Sequence, residues 1–220
     1  MKRDAKHYLT PRIHSTGVLL LFLSCMVSAG ALEPRSPERT ALDDYVDTPD
    51  PNYSFSLVRK LARSGYTEYH LDMISQKWRE KPDEAIWEHR VTVVVPDTVS
   101  SSVALMGIVD GDNGQDRSAL PFEREWAVNT NTVVAAVHQV PNQPLVFTGE
   151  QRSRSEDEIL AYTFARYLDT GDEIWPAMLP MVKSVVRAMD TVQTFVAPPA
   201  TSRSTSSSSP GPPSAPGPAG

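Results

Sequence analysis

The chain holds one cysteine, Cys25, and it lies inside an apolar N-terminal stretch. If that stretch is removed on export, no thiol is left. This excludes a disulfide framework, a cysteine-ligated zinc and a thiol nucleophile from the remainder. Histidine is scarce as well: beyond His7 and His14 there are only His70, His89 and His138, and no pair has metal-ligand spacing on a helix. A phosphate-cradling glycine loop is missing, as is a G-x-S-x-G elbow. The residues therefore indicate no cofactor. A basic cluster is also lacking, and the formal charge is −6, so nucleic acid and anionic membrane surfaces are poor partners. The longest apolar stretch falls well short of the roughly 20 residues of a spanning helix, which argues against a transmembrane anchor.

What is present divides the chain into three. Lys2, Arg3, Lys6 and Arg12 precede the apolar run Val18 to Val27, and Ala29, Gly30, Ala31 supply small residues for cleavage. Residues 1–31 thus read as a signal peptide, making the product secreted, or periplasmic in a bacterium. Acylation at Cys25 is disfavoured, because Phe22 and Leu23 fit such a site poorly. Residues 197–220 are rich in serine, proline and glycine, cannot offset their ordering entropy, and are expected to be a disordered tail. Residues 32–196 remain to fold.

Within that segment, Tyr53, Leu57, Val58 and Leu61 share a helical face closed by Gly65, which predicts a helix. Asn52, Tyr53, Ser54 is an N-glycosylation sequon, meaningful at Asn52 only in an exported eukaryotic protein. Tyr66 to Trp78 alternates, with Tyr69, Leu71 and Met73 on one face and His70, Asp72 and Ile74 on the other; with Trp87 to Val95 it predicts an antiparallel pair joined through Lys81, Pro82, Asp83. Val103 to Val109 is a third strand and Glu123 to Asn129 a short helix. Val133 to Val137 is β-branched or small throughout, as in a parallel strand covered on both faces. It ends at Pro141 and Pro144. Ser155 and Glu158 form a capping box for a helix stopped by Gly171. Pro180 fits the first turn of another, with Val182, Val185, Val186, Met189, Val192 and Val196 as its apolar stripe. That order of elements opens an α/β fold.

His70 and His89 read as interfacial or solvent-facing, and His138, near a strand's C-terminal end, as structural, because no nucleophile is visible for it to serve. Asp110, Gly111, Asp112, Asn113, Gly114 offers oxygen donors, but without the EF-hand glutamate it reads as a turn.

Five segments carry a resemblance: Ala41 to Pro51, Tyr66 to Trp78, Val140 to Leu145, Arg154 to Asp157 and Thr170 to Asp190. Together they resemble the PhoPQ-activated pathogenicity-related family, whose eukaryotic relatives are the autocrine proliferation repressor proteins. The resemblance implies an exported α/β-hydrolase-like domain about twice this length, of which the chain is the N-terminal half, its sheet incomplete. Nucleophile, acid and histidine would all lie further on, so no catalytic residue carries over. One functional element should fall inside the chain, the loop after the third strand, which in such folds lends a backbone N–H to an oxyanion hole; Asp110 and Gly111 are its candidate positions, although the carboxylates of Asp110 and Asp112 would oppose a developing negative charge and count against an intact hole. Two functions follow: a hydrolase-like protein inactive as given, or a non-enzymatic secreted signalling or binding protein. Partners would be a cell-surface receptor, or a second copy meeting an exposed sheet edge, with the Val133 strand expected at that edge.

Overall fold

A computed structural model describes residues 38–81 and 83–197. The expected signal peptide, Cys25 and nearly all of the expected tail lie outside the described residues. Five strands form one sheet: β1 (Ser54–Arg63), β2 (Tyr66–Trp78), β3 (Ala85–Pro96), β4 (Leu105–Ile108) and β5 (Val134–Val137). Four helices flank it: α1 (Ala41–Asp47), α2 (Pro121–Thr130), α3 (Asp157–Thr170) and α4 (Met178–Val196). The sheet order is β1-β2-β3-β5-β4, antiparallel up to β5 and parallel between β5 and β4. The α/β class expected from the sequence is the class observed.

β2, β3 and β5 fall where the alternation and the buried run put them, and all four residues of β5 are buried. The position of β5 differs from the expectation. It lies inside the sheet between β3 and β4, and the strand with a single neighbour on that side is β4. β5 follows β4 in sequence but inserts inward, and no local pattern encodes that choice.

The helix expected over Tyr53 to Leu61 is β1. Ser64 and Gly65 form a two-residue hairpin between Arg63 and Tyr66, with Gly65 at φ +90°. A tight turn of this kind favours glycine there, and pairing along β2 overrides a helical stripe of four residues. Neither does Ser155 cap α3. The N-cap is Glu156, without a side-chain cap, and its N–H donates instead to Gln143 Oε1 at 2.8 Å. The capping box occurs at α1, where Thr40 and Asp43 satisfy each other's backbone N–H.

Each sheet face has its own cover. On one, Leu71, Met73, Val91, Val93, Ala135 and Val137 pack against Ala188 and Val192 of α4. On the other, Val94 and Val134 meet Ala119 and Ala127 at α2. A third cluster, Trp78, Trp87, Phe147, Ile159 and Trp175, binds the ends of β2 and β3 to α3. The α4 stripe is displaced from the one expected: Met189 and Val196 are exposed, whereas Ser184, Ala188 and Thr191 are buried. Small and polar residues face inward because α4 lies over buried polar groups of β2.

Candidate functional site

The strand order reverses at β5, where the C-terminal ends of β4 and β5 lie side by side. Such ends are where open α/β sheets collect their ligands. The two chains run on together beyond the strands. Val109 N–H donates to Val137 O at 2.9 Å, Val140 N–H to Val109 O at 3.2 Å, and Gln139 N–H to Asp110 O at 3.3 Å. The turn read from Pro141 to Pro144 proves internal. Asn142 and Gln143 are buried, and Asn142 Nδ2 donates to Glu88 O at 2.7 Å. Gln143 accepts twice, its backbone carbonyl from Asn113 N–H and its side chain from Glu156 N–H. Sequence reasoning assigned Gln139, Asn142 and Gln143 no role. The clue was a run of amides beside a buried strand, where polar groups must find partners.

Asp110 and Gly111 occupy the loop so tied. Gly111 has φ +126°, a backbone that favours glycine, and a Cβ there would meet only the guanidinium end of Arg117, which can move aside. Among the described residues, neither the Asp110 nor the Gly111 N–H has a hydrogen-bond partner in the fold. Unpaired N–H groups at a strand end can receive an anionic oxygen. Asn52 sits in the turn before β1, where its Nδ2 donates to Asp50 Oδ1 at 2.9 Å.

The three histidines among the described residues are all buried, which corrects the interfacial or solvent-facing reading of His70 and His89. His138 keeps a structural place: its Nε2 lies 3.3 Å from Thr92 Oγ1 and its carbonyl 3.1 Å from His89 Nδ1. Burial first, then the charges of Arg117 and Arg90, lower its pKa to about 4. Burial lowers His89 to about 4 too. A neutral His89 donating from Nδ1 to a carbonyl must accept at Nε2, and Ser75 Oγ is there at 3.0 Å. This is a serine–histidine pair with the hydrogen bonding of an activated nucleophile. However, Ser75 is fully buried and also bonded to Ser184 of α4 at 2.9 Å. No substrate reaches it. The pair escapes sequence reasoning because Ser75 stands at a β-bulge, between Ile74 opposite Glu88 and Gln76 opposite Trp87.

Buried charge gathers under α2. Glu68 accepts from His70 Nε2 at 2.7 Å, from Arg124 Nε at 3.0 Å and from Ala119 N–H at 3.1 Å. Burial alone would raise its pKa, but the bonds from Arg124, His70 and Ala119 hold it below the usual value. Glu123 is the opposite case. Burial, with the charge of Glu68 adding to it, raises it to about 7, although Thr92 donates to it at 2.6 Å. Among the described residues no group of three or more His, Cys, Asp or Glu side chains could hold a metal ion.

Beside the loop, a cleft of about 680 Å³ opens between β1, residues Asp72 to Ile74 of β2, Glu88 to Arg90 of β3, and residues Asn113 to Asp116. Its lining is polar, with Arg59, Asp72, Glu88 and Arg90 among the charged groups. Among the described residues no helix is long and apolar enough to cross a membrane.

Comparison with known proteins adds three findings. The family described as PhoPQ-activated pathogenicity-related protein matches residues 42–203. Autocrine proliferation repressor protein A of Dictyostelium discoideum is 34% identical over 185 residues, 81% of this chain. The chain spans only about a third of that relative, 35% of its length. A solved structure from Bacteroides fragilis, of proposed acetyl xylan esterase activity, is 14% identical with a TM-score of 0.41, covering 70% of this chain and 41% of that one.

Proposed function

The chain belongs to the PhoPQ-activated pathogenicity-related protein family, and from that premise we propose that it supplies the opening portion of an exported α/β-hydrolase-like domain. Its part is the oxyanion-type loop, and it does not turn over substrate by itself. The observation that carries this is the sheet reversal at β5. It brings the free N–H groups of Asp110 and Gly111 to the strand ends, while the serine–histidine pair of the described residues is sealed beneath α4. Donors for a developing negative charge without an accessible nucleophile bind and orient but do not acylate. The division into signal peptide 1–31, folded segment 32–196 and tail 197–220 belongs to the same proposal, as does glycosylation at Asn52. Hydrolysis of p-nitrophenyl acetate by the purified chain tests the central point. Turnover should equal that of buffer and stay unchanged in Ser75→Ala; turnover lost on that substitution would overturn the reading.

The proliferation-repressor relative favours a second reading, a secreted signalling or binding protein whose hydrolase-like fold does no chemistry. Saturable binding of labelled protein to intact cells, with no ester turnover, distinguishes it from an enzyme.

A further inference from the structure

In the cleft beside the loop, the carboxylate of Asp116 lies between two guanidinium groups. Arg90 Nη1 donates to Asp116 Oδ1 at 2.7 Å and Arg59 Nη2 to Oδ2 at 3.4 Å. The two arginines are positioned by different means. Arg90 is fixed from below, Nε donating to Asp72 Oδ1 at 2.9 Å and its backbone N–H to Gln139 Oε1 at 2.7 Å. Only 13% of its side chain is exposed, so its remaining donor edge has a set direction. Arg59 follows the β1 bulge at Val58, where pairing passes from Leu57 opposite Leu71 to Arg59 opposite His70. A bulge re-aims the residues beside it.

Asp116, by contrast, is 59% exposed and comes from a loop whose backbone is tied to the segment after β5, through Gln143 and Gln139, at Asn113 and Asp112 rather than at Asp116 itself. The Arg59 pair is exposed on both sides and contributes little net stability, and Arg90 keeps its bond to Asp72 when Asp116 leaves, so the carboxylate can swing out without unfolding the sheet. Its charge matters more than its tether. With Asp116 removed, Arg59 and Arg90 balance Asp72 and Glu88, and one incoming monoanion restores the present charge. A dianion would add to the acidic side.

We propose that Arg59 and Arg90 form a binding site for a small ligand carrying a single carboxylate, occupied here by the chain's own Asp116. The cleft has the volume of a small-ligand pocket. Ser54, Ser56, Asn113 and Gln115 border it as neutral polar groups for the rest of the ligand. The site goes beyond the hydrolase-like reading and stands on binding alone.

Acetate titrations followed by ¹H–¹⁵N NMR test it, on the full chain at constant ionic strength, with inorganic phosphate as the competing anion. Asp116→Asn should bind acetate saturably, about tenfold more tightly than the unsubstituted chain, with the shifts concentrated at the Arg59 and Arg90 Nε–H signals. Adding Arg59→Gln to Asp116→Asn should return affinity to the unsubstituted level. Both substituted side chains are exposed, and unchanged amide spectra establish that the fold is retained. Equal acetate affinity with and without Asp116, equal affinity after loss of Arg59, or phosphate bound as tightly as acetate would each overturn the proposal. Ester turnover enters none of these readouts, so failure here is distinguishable from failure of the hydrolase-like reading.

Discussion

Glu123 has both carboxylate oxygens engaged, by the Thr92 hydroxyl at 2.6 Å and by the Leu120 N–H, yet its pKa is raised to about 7, chiefly by burial. The groups facing it are Glu68 from β2, Arg124 from its own helix, and His138 beyond Thr92. A carboxyl whose pKa is higher in the fold than in the unfolded chain contributes stability below the unfolded value of 4.5, and that contribution is lost as pH rises towards 7. Glu123→Gln keeps the accepting oxygen and removes the titration. It should therefore be more stable than the unsubstituted chain at pH 8, by roughly 1–3 kcal/mol, and equal to it near pH 4.5; urea midpoints at the two pH values check both halves. In the sequence Glu123 marked only the start of a short helix, because burial of a carboxyl under its own helix depends on where β2 lies, a long-range contact. Asp110 and Gly111 are singled out through the family resemblance; what the structure adds is local, the positive φ of Gly111 that glycine adopts easily. The cleft arginines are not, since the helical stripe hides the strand that carries Arg59, and the meeting of Arg59 with Arg90 of β3 depends on pairing across β2.

α1 is seven residues long, too short to persist by propensity, so what keeps it docked is external. Lys183 of α4 supplies it. Its Nζ donates to Tyr45 O at 3.1 Å and Thr48 O at 2.7 Å, and it lies 5.0 Å from the Tyr45 ring centroid. Those are carbonyls at and just past the helix end, which have no partner within α1. Lys183→Ala leaves them unpaired and removes the packed stem. A loss of about 1–3 kcal/mol is expected, with amide exchange accelerated in α1 well before the α4 amides respond. Burial of Lys183 was illegible in a helix stripe counted by apolar residues, since here a cation is the inward group. At this scale the sequence is most readable where period and burial agree, as in β2, β3 and β5. It misleads where pairing decides, as in β1, whose four-residue helical stripe is shorter than the hairpin contacts that override it.

Acid sensitivity belongs to the molecule as a whole, because opposed titrations share one seam. His89 and His138 sit on β3 and just past β5, linked through Nδ1 and a carbonyl, and burial lowers both pKa values from 6.5 to about 4. Their contribution is complete above pH 6.5 and lost as pH falls towards 4; that of Glu123 runs the other way, lost between 4.5 and 7. Between pH 4.5 and 6.5 two histidines oppose one carboxyl. Stability should then rise with pH by up to about 1.4 kcal/mol per unit for the one uncancelled proton. Above 6.5 only the last part of the Glu123 loss remains, which puts the maximum near pH 6.5. Urea midpoints from pH 4 to 8 measure this, and a profile flat below 6.5 would rule out burial as the cause of the histidine shifts. In Glu123→Gln the rise should steepen, since the opposing titration is gone. The seam also decides where acid acts first. Protonating either histidine puts a buried charge into the seam between β3 and the segment after β5, and that segment holds the loop from Val109 to Asn113. Amide protection at residues 109–113 and 138–143 should fall at a higher pH than protection in the β2–α4 core, so the candidate site loosens before the fold that carries it.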